Sequence, residues 1–250
     1  MWIRRIAGGV AAIAALTGLS YLTYVAITYR RYGRAAVHTT DGQHDTLLDR
    51  FMPAPEVAER HETRVAAPAE LTFEAARALD LQRSALVRAI FAGRELLMRA
   101  PPAPAARPRA FVDEVLALGW GILAEVPGRE IIFGAVTQPW KGDVHFRAIP
   151  PDRFAAFHEP GYAKIVWTLT AEPLGPDTST FRTETRVTTT DPDSRERFRR
   201  YWSVMSPGIL LIRYATLPQV RREAERRARA RERAEANQWS GSPNRPSAGR

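Results

Sequence analysis

Hydrophobic and polar positions fall into three regimes along this chain of 250 residues. The first is an unbroken run. The 24 residues from Ile6 to Tyr29 carry no charge, with Arg4 and Arg5 before them and Arg30, Arg31 and Arg34 after them. As a helix this run would reach roughly 36 Å, enough to cross a ~30 Å hydrocarbon core with some tilt. Tyr21, Tyr24, Tyr29 and Tyr32 crowd its distal end, where an aromatic belt would meet lipid headgroups. The second regime is mixed. RHETRVA (60–66) alternates as a first strand, and Leu71, Phe73, Ala76 and Leu79 make a loose helical stripe after Pro68. A second helix is expected after Asp80 as its cap, with Leu81, Leu86, Val87, Ile90, Phe91 and Leu97 on one face. Four prolines in residues 101–110 allow only a stiff loop. The third regime is β-like. Gly119–Val126 and Glu130–Val136 flank Pro127-Gly128-Arg129 as a hairpin, Val144–Ile149 is a short strand, and Phe154–His158 begins another.

Two long strands with clean period-two alternation follow, Tyr162–Glu172 and Thr178–Thr190. Ile165, Trp167 and Leu169 share one face of the first; in the second, Phe181, Thr183, Thr185 and Val187 oppose Arg182, Glu184 and Arg186. Such alternation predicts one buried face and one wet face. Asp191-Pro192-Asp193 then opens a long helix with a cap, a proline in the first turn and acids at the positive end of the dipole. Its apolar stripe is Phe198, Tyr201, Trp202 and Met205; Ser206-Pro207-Gly208 is expected to interrupt or kink it. Ile209, Leu210, Ile212 and Leu217 continue the stripe past Arg213. Residues from 221 to about 235 are polar and helix-prone, and 241–250 are rich in Gly, Ser and Pro and expected to be disordered.

Charge changes this picture by its location. The net charge is +9, yet residues 1–40 hold five arginines and no acid, and residues 221–233 hold seven arginines against three glutamates. The segment 41–220 is left at −1, so no nucleic-acid partner is expected. Basic ends on a neutral domain suit an anionic lipid surface, with Arg30, Arg31, Arg34, Arg222 and Arg226 as its candidate contacts. The absence of cysteine removes disulfides, thiol catalysis and cysteine-ligated metals. For the N-terminal run, a cleaved secretory signal is the alternative to a retained anchor. The apolar stretch exceeds the usual 7–15 residues, and Tyr24-Val25-Ala26 puts a bulky residue where cleavage wants a small one. Two arginines and the amino terminus before the run face three arginines after it, a near balance of positive charge; the C-terminal domain of this single-pass protein is read as cytoplasmic.

Chemical motifs are sparse. Gly119-Trp120-Gly121-Ile122-Leu123-Ala124 matches the dinucleotide fingerprint in letters, but its glycines lie in a hairpin strand rather than at a helix N-terminus. No Walker loop, GxSxG or HExxH occurs, and no metal or cofactor is expected. Asp143 with His145, and His158 with Glu159, are local acid–histidine pairs. Glu184 and Arg186 share a strand face, read as a solvent-side charge ladder or, alternatively, as placing Arg186 near an acidic ligand headgroup. Trp120, Phe133, Trp140, Trp167, Phe181, Tyr201, Trp202 and Met205 would either fill a core or line an apolar cavity.

The order of elements is one strand, two helices, a run of antiparallel strands and a long C-terminal helix. With the stretches FAAFHEPGYAK (154–164), Ile165–Glu172, Thr183–Val187 and DPDSRERFRRYW (191–202), it resembles the START-like or SRPBCC superfamily. That resemblance implies an α+β helix-grip fold, a curved antiparallel sheet wrapped on a long C-terminal helix, here preceded by a transmembrane helix. Residue pattern and resemblance together give an expected organisation of an anchor over 1–34, a tether over 35–58, the helix-grip domain over 59–225 and a basic extension over 226–250, the anchor and the extension being departures from the core of that fold. The resemblance also implies a hydrophobic ligand held between sheet and helix; with the anchor, the neutral domain and the converging aromatics, the expectation is a non-catalytic binding protein for a lipid or other hydrophobic small molecule. The alternatives are a cyclase- or dehydratase-type enzyme, using His145, His158, Asp143 or Glu130, and a solid structural module whose last helix binds a partner. No catalytic residue and no oligomeric state follows from it.

Overall fold

The alternating strands do what their pattern requires, since each must bury one row of side chains. A computed structural model describes residues 2–33, 45–80, 84–99 and 111–240, with the side chains of residues 2–14, 91 and 238–240 left out. The chain runs α1 (Trp2–Arg31), α2 (Thr46–Asp49), β1 (Val57–Val65), α3 (Ala69–Arg77), α4 (Ala85–Met98) and α5 (Phe111–Ala117). Then follow β2 (Gly121–Val126), β3 (Glu130–Thr137), β4 (Phe146–Arg147), α6 (Pro151–Phe154), β5 (Ala163–Gly175), β6 (Thr178–Thr189) and α7 (Pro192–Ser240). The strands form one antiparallel sheet in the order β1-β6-β5-β3-β2, with β4 also paired to β3. The fold is α+β, an open antiparallel sheet with a long C-terminal helix, as the sequence implies.

Register places Phe133 opposite Trp167, and Ile165 opposite Val187. Odd-numbered residues of β3, β5 and β6 therefore share an inner face, which packs against α3, α5 and α7 around Phe73, Phe111, Leu169, Phe181 and Val220. Each large side chain so buried is worth about 1.5–3 kcal/mol relative to leaving it in water. The outer face is not wet, contrary to the expectation from alternation. Leu48, Phe51 and Met52 of the α2 region and Phe154 of α6 cover it, against Leu123, Ile132 and Val166. Gly134 lets that cover sit close: a Cβ there would stand 2.4 Å from Leu123 Cδ1 and 2.9 Å from Phe154 Cε2. The charge ladder expected on the solvent side is buried beneath it. Arg186 Nε donates to Glu184 at 2.6 Å, and its Nη1 donates to Asp49 at 2.5 Å and to the Met52 carbonyl at 2.9 Å. This clamp also corrects the alternative for Arg186, which lies on the face opposite the inner layer. Residues 46–52, within the stretch read as a tether, are thus held on the sheet.

Several boundaries move. Ser84, not Asp80, caps α4 through the Val87 amide at 3.3 Å. The α5 helix was not expected; Phe111, Val112 and Val115 are its buried side. Phe154 ends the short α6 rather than beginning a strand, because Pro150 and Pro151 are set for a helix start. The Ser206-Pro207-Gly208 interruption is absent: α7 runs unbroken for 49 residues through Pro207 and Pro218. It starts at Pro192 as expected, with Asp191 Oδ1 accepting from the Ser194 amide at 2.9 Å. Its basic extension is partly packed, since Ala224 and Ala228 are buried in the inner core and Glu225 accepts from the Ala66 amide.

Among the described residues no helix is long and apolar enough to cross a membrane. Side chains of α1 are described from residue 15 onward. Here α1 lies along α7. Tyr21 donates to the Val204 carbonyl at 2.8 Å, Tyr24 and Ser206 share a hydrogen bond of 3.1 Å, and Tyr29 donates to Glu196 at 2.8 Å. Tyr32 donates to Glu56 at 2.6 Å. The tyrosines read as an interfacial belt thus use their hydroxyls within the protein. Leu16, Leu19 and Leu22 remain about two-thirds exposed. Arg34, the rest of 34–44, the proline-rich stretch 101–110 and the tail 241–250 lie outside the described residues.

Candidate functional site

Between the inner face of the sheet and α7 the packing leaves a cavity of about 580 Å³, within the 300–1,000 Å³ usual for small-molecule sites. Its wall is built by three layers of sequence logic. Alternation along β5 and β6 supplies Ile165, Trp167, Leu169, Phe181 and Val187; the stripe of α7 supplies Phe198, Tyr201, Trp202, Met205 and Ile212; α4, α5 and α1 contribute Ile90, Leu97, Phe111 and Tyr21. Helix α4 closes one side loosely: Val87 is fully buried, whereas Leu86, Leu96 and Leu97 are exposed.

Six of the eight aromatic and methionine candidates line this space: Trp120, Trp167, Phe181, Tyr201, Trp202 and Met205. Phe133 lies behind the wall, fully buried and stacked on Trp167 with ring centroids 5.3 Å apart. Trp140 packs instead against the cluster of Val57, Ala163, Phe198 and Trp202, and among the described residues its buried indole Nε1 has no hydrogen-bond partner. The basic candidates stand elsewhere. Arg30 borders a shallow cleft with Arg195, Glu196 and Arg199. Arg31 and Arg222 are exposed, and Arg226 is paired with Glu223 at 2.7 Å.

None of the four acid–base candidates reaches the cavity wall. Asp143 and His145 do pair, at 3.0 Å, but both are largely exposed. His158 Nδ1 meets the Ala156 carbonyl at 2.8 Å on the surface. Glu130 sits on the outer face of the sheet, beside Thr170 at 3.1 Å. Burial and the neighbouring Asp45 carboxylate push its carboxyl up to about 7. No group of three or more His, Asp or Glu among the described residues is placed to hold a metal ion.

Among the described residues two guanidiniums border the cavity, Arg94 of α4 and Arg213, the charge past which the stripe of α7 continues. Arg213 has Thr183, Thr185 and Thr216 beside it in the wall. Its Nη1 donates to Thr183 Oγ1 at 3.0 Å, its Nη2 donates to Thr185 Oγ1, and its guanidinium lies 6.0 Å from the Trp167 ring. Trp167 Nε1 donates to the same Thr183 hydroxyl at 2.6 Å. Register sets Glu59 and His61 of β1 directly across from Thr185 and Thr183, on the same face. Burial pushes the Arg213 guanidinium down to about 10, against the pull of the Glu59 charge. Burial, then the Arg213 charge, lowers His61, whose ring stands edge-on to Tyr214. The sequence signal was available: a single charge inside an otherwise apolar helical stripe that faces two threonines.

No family model matches the chain, and no curated relative matches it. Among solved structures it is similar to the Zhui aromatase/cyclase from a Streptomyces species, at 16% identity over 68% of this chain and 94% of that one, with a TM-score of 0.25. A START superfamily protein from Mycobacterium smegmatis is similar at 14% identity over 69% of this chain and 97% of that one, with a TM-score of 0.25. A norcoclaurine synthase from Thalictrum is similar at 13% identity over 67% and 93% respectively, with a TM-score of 0.24. The fold assignment rests on the strand order and on α7 packed across the inner face.

Proposed function

We propose that this protein binds an apolar small molecule, a lipid or similar compound, in the cavity between the sheet and α7, without catalysing its conversion, at a membrane to which α1 tethers it. The carrying observation is the cavity itself, about 580 Å³ with an almost wholly apolar wall. A core left that empty forfeits dispersion contacts on every lining side chain, a cost an apolar ligand would offset. The solid interior that an interaction module needs is not what the packing produces. The cyclase or dehydratase alternative draws no support from Asp143, His145, His158 or Glu130, which point away from the cavity. Tethering is supported by the uncharged run Ile6–Tyr29 and by Leu16, Leu19 and Leu22, which the described chain leaves uncovered.

The test is native mass spectrometry, with solvent extraction, of the full chain purified in a mild detergent. A bound apolar molecule is expected. It should be lost in Ile165→Trp, which projects a larger ring into the cavity. A protein that carries no ligand and takes up none of a panel of neutral and anionic lipids would end the reading. Membrane tethering is tested separately by alkaline carbonate extraction of membranes, in which the full chain should stay with the bilayer and a chain lacking residues 1–34 should not.

A further inference from the structure

An arginine placed in an apolar wall is costly, because a guanidinium taken from water loses several kcal/mol of hydration unless an anion replaces it. Arg213 is surrounded by protein atoms, and the partial exposure it keeps is toward the cavity it lines. Its ion-pair account is incomplete. Arg182 pairs with Glu172 and Arg186 with Glu184 and Asp49, yet among the described residues no carboxylate lies within salt-bridge distance of Arg213. What it has is two threonine hydroxyls and the face of Trp167. Among the described residues its buried Nε has no hydrogen-bond partner. Glu59 acts on it only through space, and His61 is held toward its neutral form.

The two hydroxyls fix the guanidinium plane against β6. A guanidinium offers five donors in a rigid fork that matches a carboxylate in bidentate fashion. Occupied by threonines on one side only, this fork has donor capacity left over inside the cavity.

We propose that Arg213 is the receptor for an anionic head, so that the ligand is an amphiphilic acid with one carboxylate at Arg213 and an apolar body along the Trp167, Phe181 and Trp202 wall. This rests on the cavity-binding reading and narrows it to a ligand class. Thr183 and Thr185 act as positioning residues: they hold the fork and do not themselves neutralise the acid. The arrangement selects against neutral lipids, since a ligand without an anion leaves the Arg213 charge unanswered in a nearly dry site.

The experiment uses the full chain in nanodiscs of neutral phosphatidylcholine and the quenching of its tryptophan fluorescence by 9,10-dibromostearic acid at pH 8, compared with the methyl ester of the same acid. Both probes partition into the bilayer, where they would also quench Trp2 of α1, so all forms carry Trp2→Phe; both then bring bromines against Trp120, Trp167 and Trp202 of the cavity wall. Wild-type protein is expected to bind the acid at least tenfold more tightly than the ester. Arg213→Met should remove the preference while keeping ester binding, and Thr185→Val should reduce it severalfold with the charge still in place. Equal binding of acid and ester by the wild type overturns the proposal, and that comparison needs no variant to fold. A preference that survives in Arg213→Met also overturns it. Failure of both probes to quench the wild type overturns the cavity-binding reading itself and this inference with it.

Discussion

At the scale of single residues, Arg213, Glu130 and Gly134 each trade stability for position. Among the described residues Arg213 has hydroxyl partners and no ion pair, so its burial is expected to cost more than it returns. Arg213→Met should leave the ligand-free protein as stable as wild type or raise its melting temperature, read by thermal unfolding of delipidated protein. A fall of more than about 2 kcal/mol would show instead that the arginine is structural. Glu130 carries a pH signature. Its carboxyl is held at about 7 in the fold against an ordinary value of 4.5. Between those values the folded chain keeps a proton that the unfolded chain has released, so stability falls as pH rises through that window and levels off above it. Glu130→Gln should flatten this slope and raise the melting temperature at pH 8, with little change at pH 4. Gly134→Ala presses a methyl into Leu123 and Phe154. An overpacking cost of about 1–3 kcal/mol is expected, measured by denaturant unfolding.

At the scale of elements, α7 and α2 are each held by one acid. Asp191 accepts from the Ser194 amide at 2.9 Å, the Ser194 hydroxyl at 2.6 Å and the Gly161 amide at 2.6 Å, joining the helix start to the loop before β5. Those hydrogen bonds hold its carboxyl well below the ordinary 3.8. Its contribution is therefore complete above pH 3.8 and is lost as pH falls below it. Asp191→Ala should cost about 1–2 kcal/mol at pH 7, and the gap between variant and wild type should narrow in strong acid. Removing Arg186 strands the buried Glu184 and releases Asp49 of α2. Breaking such a pair typically costs about 3–5 kcal/mol. Limited proteolysis of Arg186→Met should cut first near residues 45–52, where α2 leaves the sheet. Pro207 and Pro218 each remove a donor from α7 without ending it. Packing against α1, α3 and the sheet outweighs that loss, which local propensity alone would not allow.

For the whole molecule, charge separates the basic ends from the neutral domain. The neutral segment 41–220 leaves electrostatic attraction to the ends. In the tail, Glu223 takes both Arg226 and Arg227, and Arg221 pairs with Glu225, so much of the charge is spent within α7. Deleting residues 221–250 would also remove Ala224 and Ala228 from the core. The discriminating variant is therefore Arg222→Gln with Arg226→Gln in a chain lacking residues 1–34, which keeps Ala224 and Ala228 in both forms and removes the α1 tyrosines from both alike. If the tail touches lipid, this variant should lose binding to anionic vesicles, and neutral vesicles should bind neither form. Equal binding of both forms to anionic vesicles would make the extension a solvated helix.

Local pattern determined most of the elements. Alternation predicted β5 and β6 to within about two residues at the start of each, Pro127-Gly128-Arg129 the β2–β3 turn, and Asp191-Pro192 the start of α7. These succeed because period-two burial, turn geometry and capping are settled by neighbours in sequence. Six of the eight cavity candidates were legible for the same reason, as the inward positions of amphipathic elements. What pattern could not decide was what lies on the other side of each element. Whether the outer face of β6 was wet depended on α2 arriving from 137 residues away in sequence to meet Arg186. The choice between a filled core and a cavity depended on how far α7 stands off the sheet, a spacing no residue carries alone. Arg213 looked like a lone charge within an apolar stripe until Thr183 and Thr185, thirty and twenty-eight positions away, closed on it. Burial of a charge is a property of the assembled surroundings, because the free energy that marks it as significant comes from the water that tertiary packing removes.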